Sequence, residues 1–117
     1  MAFNVESSLL ESIVLSVIAT ETTDGTYGYK ITQDVRTVVD ISESTLYPVL
    51  RRLQKDGSLD TYNQEYSGRN RKYYKITPHG MIQLDNYRSD WLQYKKKIDR
   101  ILLGKIEEEL AWQSENI

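Results

Sequence analysis

The sequence predicts a mainly α fold with a small β-hairpin, arranged as a winged helix-turn-helix followed by a long C-terminal helix. A predicted helix over residues 44–56 carries cations on one side, and two strand-like stretches joined by a cationic turn follow it. From residue 84, apolar residues recur in alternating steps of four and three, which is typical of a helix with a coiled-coil seam. We therefore expect a winged-helix domain over residues 1–77 and a C-terminal helix with an acidic tail over residues 78–117.

The charge of the chain is unevenly distributed. The formal net charge is -2, which argues against indiscriminate binding to nucleic acid. Between Ser42 and Lys75, however, seven Lys or Arg residues oppose four Asp or Glu residues and give +3, so the rest of the chain carries -5. A local cationic surface on an acidic chain indicates a protein that binds DNA through one face.

Several classes of function are excluded by composition. The chain has no Cys and a single histidine, His79, so disulfides, Cys nucleophiles and a plausible metal site are not expected. No paired carboxylates, nucleophile with a base, or phosphate-binding glycine loop is apparent, so we expect neither an enzyme nor a cofactor. Without about 18 to 20 consecutive apolar residues or a signal peptide, the chain is expected to be cytoplasmic, with no membrane partner.

Two helices are predicted before the cationic segment. The first covers about residues 6–22, and Asp24 with Gly25 ends it. Thr26 is placed to cap the second, over about residues 27–38. The predicted buried contacts are Leu9, Leu10, Ile13, Val14, Val17 and Ile18 in the first helix, and Tyr29, Ile31 and Val35 in the second.

The third helix is predicted to begin at a cap on Ser42 or Ser44 and to end at Gly57, which tolerates the left-handed conformation. Pro48 should distort its first turn, because proline deletes one helical hydrogen bond. The side chains expected to face inward are Leu46, Val49, Leu50 and Leu53.

A hairpin is predicted from strands over residues 58–66 and 71–77, with residues 67–70 as the turn. We take Tyr66 to pair with Arg71, although a slip by one residue would exchange the two faces of the hairpin. That pairing places Leu59, Thr61, Tyr74 and Ile76 on one face, and Tyr66, Arg71, Tyr73 and Lys75 on the other.

The C-terminal helix is expected to begin with Thr77 as its cap and Pro78 at its first position. Its apolar seam requires a partner helix, which indicates a homodimer. Gly104 interrupts the seam, and the tail from residue 105 to residue 117 is expected to be a frayed acidic end. The predicted dimer residues, which are also candidates for contacting a ligand, are Leu84, Tyr87, Trp91, Tyr94, Ile98 and Ile101.

The residues expected to contact DNA lie in two groups. Ser44, Thr45 and Tyr47 stand early in the third helix, where base contacts are usual, whereas the cations further along would meet phosphates. The cations of residues 69–72, at the tip of the hairpin, can enter a minor groove or contact phosphates. The full predicted set is Tyr29, Ser44, Thr45, Tyr47, Arg51, Arg52, Lys55, Arg69, Asn70, Arg71 and Lys72.

Other interpretations of these features are open. The third helix could be an ordinary amphipathic helix with a solvated cationic side, and the hairpin turn could simply be solvated. The winged helix could also be a protein-protein interaction module that binds an acidic partner and never touches DNA. A DNA-binding dimer differs from such a module in requiring a near-palindromic duplex, with half-sites one helical turn, roughly 34 Å, apart.

Three motifs occur in order between residues 27 and 80: Tyr27-Gly28-Tyr29-Lys30-Ile31, then Thr45-Leu46-Tyr47-Pro48 continuing to Arg52-Leu53 and Gly57, then Gly68-Arg69 with Arg71-Lys72-Tyr73-Tyr74 and Thr77 to Gly80. In these motifs the chain resembles the PadR-like transcriptional regulators of bacteria, of the short type with one C-terminal helix. The resemblance implies a dimer on double-stranded DNA, usually a repressor and often released by a small molecule. In some short members, aromatic residues of the C-terminal helices flank a pore for flat hydrophobic compounds. Tyr87, Trp91 and Tyr94 therefore form either such an effector site or a plain packed dimer core.

Overall fold

The structure is a computed structural model that describes residues 5–21 and 25–115. Within these residues the helices are α1 (Val5–Ala19), α2 (Gly28–Arg36), α3 (Glu43–Lys55), α4 (Pro78–Leu102) and α5 (Gly104–Glu115). The strands β1 (Thr26–Tyr27), β2 (Leu59–Tyr66) and β3 (Arg69–Ile76) form one antiparallel sheet in the order β1-β3-β2. The predicted fold, mainly helical with a winged helix-turn-helix and a long C-terminal helix, is confirmed.

The core lies where α1, α2 and α3 meet the sheet and the start of α4. The predicted inward face of α3 is confirmed, and so are the predicted contacts at Ile31 and Val35 of α2. Tyr29 was wrongly predicted to be buried, because its side chain is 58% exposed. It stands two residues before Ile31, and a separation of two residues turns a helical side chain to nearly the opposite face. The buried hydrophobic residues are Val14, Leu15, Ile18, Ile31, Val35, Leu46, Val49, Leu50, Leu53, Leu59, Tyr74 and Leu84.

The start of α2 differs from the prediction. Thr26 does not cap the helix but lies in β1, paired with Tyr74, and the residue before the helix is Tyr27 in an extended conformation without a side-chain cap. Backbone pairing with β3 holds this segment extended, and two strand residues are too few to give a periodic signal. The first helix ends at Ala19, short of the predicted end, and Asp24 lies outside the described residues.

The third helix follows the prediction more closely. Ser42 precedes it with an extended backbone, and its hydroxyl contacts the Ser44 hydroxyl at 2.8 Å instead of capping a backbone N–H. The helix continues without a break through Pro48. Gly57 follows it with φ of +84°, the left-handed conformation that ends helices.

The hairpin of β2 and β3, the wing of this fold, has a tighter turn than predicted. Ser67 and Gly68 both have positive φ, 52° and 79°, so the turn contains only these two residues and Tyr66 pairs with Arg69 rather than Arg71. The predicted pairing was wrong by two residues, but a shift of two leaves every side chain on its predicted face. As a consequence, residues 69–72 belong to β3 and not to the turn.

The helix α4 begins as predicted. Pro78 occupies its first turn, and the Thr77 hydroxyl accepts a hydrogen bond from the backbone N–H of Gly80 at 2.9 Å. The frayed tail was wrongly predicted, since residues 104–115 form α5. Its Lys, Glu, Leu and Ala residues are good helix formers. The prediction gave more weight to the run of acidic residues than to this helix propensity.

The molecule is elongated because α4 projects from the winged helix. Its radius of gyration is 18.6 Å and its longest dimension 68 Å, whereas a compact chain of this length would have a radius of gyration of about 13 Å. In the part of the chain that the structure describes, no helix is both long and apolar enough to cross a bilayer.

Candidate nucleic-acid interface

The exposed side of α3 carries the polar and cationic residues that were predicted to meet DNA. Ser44, Thr45, Arg51 and Lys55 are exposed, whereas Tyr47 is partly buried. This division follows from the helix itself, because its four apolar residues occupy the core side.

The wing lies against this helix. Lys72 of β3 donates from Nζ to Oε1 of Gln54 on α3 at 3.3 Å, and Nε2 of Gln54 donates to the Thr61 hydroxyl of β2 at 3.2 Å. Gln54 was not among the predicted site residues, because a single polar amide near the end of a helix gives no local signal for a contact with the wing. The contact places an α3 side chain and a wing cation on one surface, and both are exposed.

Tyr74 provides a second connection between α3 and the wing. Burial raises the pKa of its phenol, the neighbouring Tyr47 raises it further, and the positive charge of Arg51 opposes both effects. Tyr47 of α3 and Tyr74 of β3 also line one cleft, which places this part of the wing beside α3.

An open cleft of about 510 Å³ lies between α2, α3 and β3. A Cβ placed on Gly28 would lie 2.7 Å from the Tyr47 hydroxyl, so Tyr47 packs directly against the start of α2 and needs glycine there. Five of the predicted DNA-binding residues contribute to the border of this cleft. They are Tyr29, Tyr47, Asn70, Arg71 and Lys72.

Aromatic rings hold Arg71 on the outer face of the wing. Its guanidinium lies 4.1 Å from the ring centre of Tyr27 and 4.4 Å from that of Tyr66. Tyr73 packs on the same face, stacked on Tyr62 at 5.3 Å and edge-on to Tyr27 at 5.7 Å. Cation-π contacts on two sides restrict the arginine, which is thereby oriented before any ligand binds.

The four wing residues predicted to act together are divided between two faces. Asn70 and Lys72 point to the side of α3, while Arg69 and Arg71 point to the opposite side, since neighbouring strand residues alternate. The wing therefore presents cations on both of its faces.

Arg52 is exposed on α3 and forms an ion pair with α1. Its Nε donates to Oε1 of Glu11 on α1 at 2.7 Å. The second oxygen of Glu11 accepts a hydrogen bond from the Tyr87 hydroxyl of α4 at 2.5 Å. Burial, this hydrogen bond and the charge of Glu11 raise the pKa of the Tyr87 phenol, in that order of importance.

The predicted dimer seam is divided along α4. Leu84 is fully buried within the chain and Tyr87 is partly buried beside α1, so the first part of the seam packs on the winged helix itself. Further along, Trp91 is 36% exposed and Ile101 is 77% exposed, which leaves the second part of the seam uncovered in the single chain.

A groove of about 310 Å³ lies between α1 and α4. Its lining is mainly apolar, and the Trp91 ring is 6.2 Å from the Tyr94 ring. Among the described residues, no group of three or more potential metal ligands is present. The lining includes Leu9, Ile13, Val17, Leu84, Tyr87 and Trp91.

Comparisons with known proteins agree with this architecture. A protein of solved structure from Streptococcus mutans UA159 is 40% identical, covers 89% of this chain with 95% of its own length, and has a TM-score of 0.76. A PadR-like transcriptional regulator from Bacillus cereus is 29% identical over 84% of this chain and 95% of its own, with a TM-score of 0.73. An uncharacterized protein of Lysinibacillus sphaericus is 35% identical over 81% of this chain and 89% of its own.

The family model of the PadR-like transcriptional regulators matches residues 14–86. This range contains α2, α3, both strands of the wing and the first part of α4. The chain therefore belongs to the transcriptional regulator PadR-like family and is a regulator of transcription rather than an enzyme, as its sequence predicts.

Proposed function

We propose that this regulator is a cytoplasmic homodimer that represses transcription by binding a near-palindromic operator in double-stranded DNA. The observation that carries the proposal is the contact of Lys72 with Gln54, which joins the wing to the exposed side of α3. A duplex bound to that surface would contact α3, which fits the major groove, and the cationic wing at the same time.

The proposed contacts with bases and with phosphates come from different positions on the surface. Ser44, Thr45 and Tyr47 lie on the first half of α3 and would contact base edges, which gives sequence choice. Tyr29 borders the same cleft as Tyr47 and would approach the DNA from α2. The phosphate contacts would come from Arg51, Arg52, Lys55, Arg69, Asn70, Arg71 and Lys72.

The dimer would form through the outer half of α4. Tyr94 and Ile98 are partly buried there, and Ile101 is exposed although apolar. A second copy of the helix would cover these side chains and remove apolar surface from water. The two-fold axis of such a dimer would place one recognition helix on each half-site, about 34 Å apart.

A small aromatic or hydrophobic effector would bind at the groove between α1 and α4 and release the DNA. The groove is mainly apolar and borders Trp91, whose ring can stack on a flat compound. If instead the groove serves only as packed dimer core, such compounds will leave operator binding unchanged.

A mobility-shift titration at several salt concentrations tests DNA binding directly. Arg69→Ala should weaken binding to many sequences and lower the salt slope by about one. Thr45→Ala or Tyr47→Ala should instead reduce the preference for the best sequence over others. A protein that binds no duplex but retains an acidic protein partner would be an interaction module and would overturn the proposal.

A further inference from the structure

One carboxylate joins α3 to α4. Glu11 on α1 accepts from Arg52 through one oxygen at 2.7 Å and from the Tyr87 hydroxyl through the other at 2.5 Å. The Glu11 side chain is only 15% exposed. Because each oxygen holds a different helix, a displacement of either partner changes the position of the group that holds the other.

The α4 end of this connection reaches the apolar groove. Tyr87 lines the groove, and Trp91 lines it one helical turn later on the same side of α4. Glu11 is therefore one hydrogen bond away from a groove side chain and one hydrogen bond away from α3.

The α3 end of the connection is open to a ligand. Arg52 uses Nε for Glu11, and its side chain is 52% exposed. A guanidinium has five N–H donors, so the terminal nitrogens can meet a DNA phosphate while Nε faces the carboxylate. The phosphate and the Glu11 carboxylate then compete for the same guanidinium, so contact with a phosphate weakens the ion pair between Arg52 and Glu11.

We propose that Glu11 is a positioning residue that couples phosphate contact at Arg52 to the side chains of the groove between α1 and α4. The inference rests on the proposed DNA binding of α3. A coupling between two sites is reciprocal, so DNA at α3 must change the surroundings of Trp91 through Glu11 and Tyr87.

Trp91 provides a direct probe of the groove. The chain has two tryptophans, Trp91 and Trp112, so Trp112→Phe leaves Trp91 as the single source of indole emission. We would titrate this full-length variant with a fluorescein-labelled duplex recovered by selection from a random pool. The anisotropy of the label reports binding, and the Trp91 emission reports the groove independently.

We expect saturating duplex to change Trp91 emission, and Glu11→Gln or Tyr87→Phe to abolish that change while the duplex still binds. Tyr87→Phe keeps the ring in the groove and removes only the hydroxyl. It therefore tests the same hydrogen bond if Glu11→Gln fails to fold. Glu21→Gln is the matched control. It removes an equally short 2.7 Å ion pair, with Lys30 of α2, from a carboxylate that is 21% exposed.

A second arm needs no DNA. Arg52→Met should change Trp91 emission in the free protein, and the same substitution should have no effect once Glu11 is Gln. Lys30→Met, which breaks the control ion pair, should leave the emission unchanged.

The outcomes separate the coupling from the proposed function. A full Trp91 response in Glu11→Gln at saturating duplex, or an Arg52→Met effect that persists in the Gln background, would overturn the coupling. Failure of the unsubstituted protein to bind any duplex would overturn the proposed function, and the DNA-free arm would still decide whether Glu11 connects Arg52 to Trp91.

Discussion

Arg71 and Tyr27 join the wing to the strand that precedes α2, with the guanidinium 4.1 Å from the ring centre. Tyr66 covers the same guanidinium at 4.4 Å. The arrangement fixes a cation that would otherwise move freely on an exposed strand, and it predicts that the rings affect DNA binding although they need not touch DNA.

We expect Arg71→Ala to lower the salt slope of operator binding by about one, because one phosphate contact is lost. Tyr66→Leu should keep the slope but weaken binding by about 0.5–1 kcal/mol, the value of an exposed cation-π contact. Fluorescence anisotropy at several salt concentrations measures both quantities. Arg88→Ala, which removes a cation from α4, is the control, and an equal loss of slope in that variant would contradict the assignment.

Gly28 is predicted to affect DNA binding because it makes room for Tyr47, and not because of the backbone of α2. A Cβ at this position would lie 2.7 Å from the Tyr47 hydroxyl, so Gly28→Ala must shift the tyrosine ring from its place in the cleft. Alanine favours a helix over glycine by about 1 kcal/mol, so binding should weaken without a comparable loss of thermal stability. In a Tyr47→Ala background the glycine substitution should add little, and additive losses of affinity would show that the two act separately.

The outer part of α4 is predicted to hold the dimer together. Ile98→Asp should give a monomer, because it buries a charge in an apolar contact. Size-exclusion chromatography with light scattering measures the mass. Lys96→Asp introduces the same side chain at an exposed position of the helix and should remain dimeric. An Ile98→Asp protein that stays dimeric would move the interface elsewhere, with α1 as the next candidate.

Tyr87 is predicted to make the fold sensitive to alkali. Its phenol has a pKa raised above the ordinary value of 10, with burial as the first cause and the Glu11 hydrogen bond as the second. Below about pH 10 the phenol is neutral in both the folded and the unfolded protein. Above about pH 10 the phenol ionises first in the unfolded chain, so the free energy of unfolding falls.

Tyr87→Phe should reduce this fall, by less than about 1.4 kcal/mol per pH unit because the site is only partly buried. Urea unfolding at about pH 9 and about pH 11 measures the difference. An identical loss of stability in both proteins would show that the phenol titrates normally.

The sequence predicted elements whose signal is local and periodic. The inward side of α3, the end of that helix at Gly57 and the start of α4 at Thr77 each depend on a few neighbouring residues, and each is confirmed. The two-residue strand β1 was missed because it exists only through pairing with β3, which no local pattern records.

The candidate site was predictable in composition but not in arrangement. The alternation of the wing gave the correct faces, while the turn was too long by two residues because the left-handed conformation of Ser67 was not foreseen. The hydrogen bonds that Glu11 accepts from Arg52 and Tyr87 could not be predicted from the sequence either. Glu11 and Tyr87 are 76 residues apart in the chain and meet only in the folded molecule.

Selection of bound duplexes from a random pool with purified protein tests the central claim most directly. If α3 and the wing form one DNA-binding surface that a dimer presents twice, the enriched sequences will contain two inverted half-sites with centres roughly 34 Å apart. Enrichment of no duplex, or of single half-sites without a symmetric mate, would contradict it.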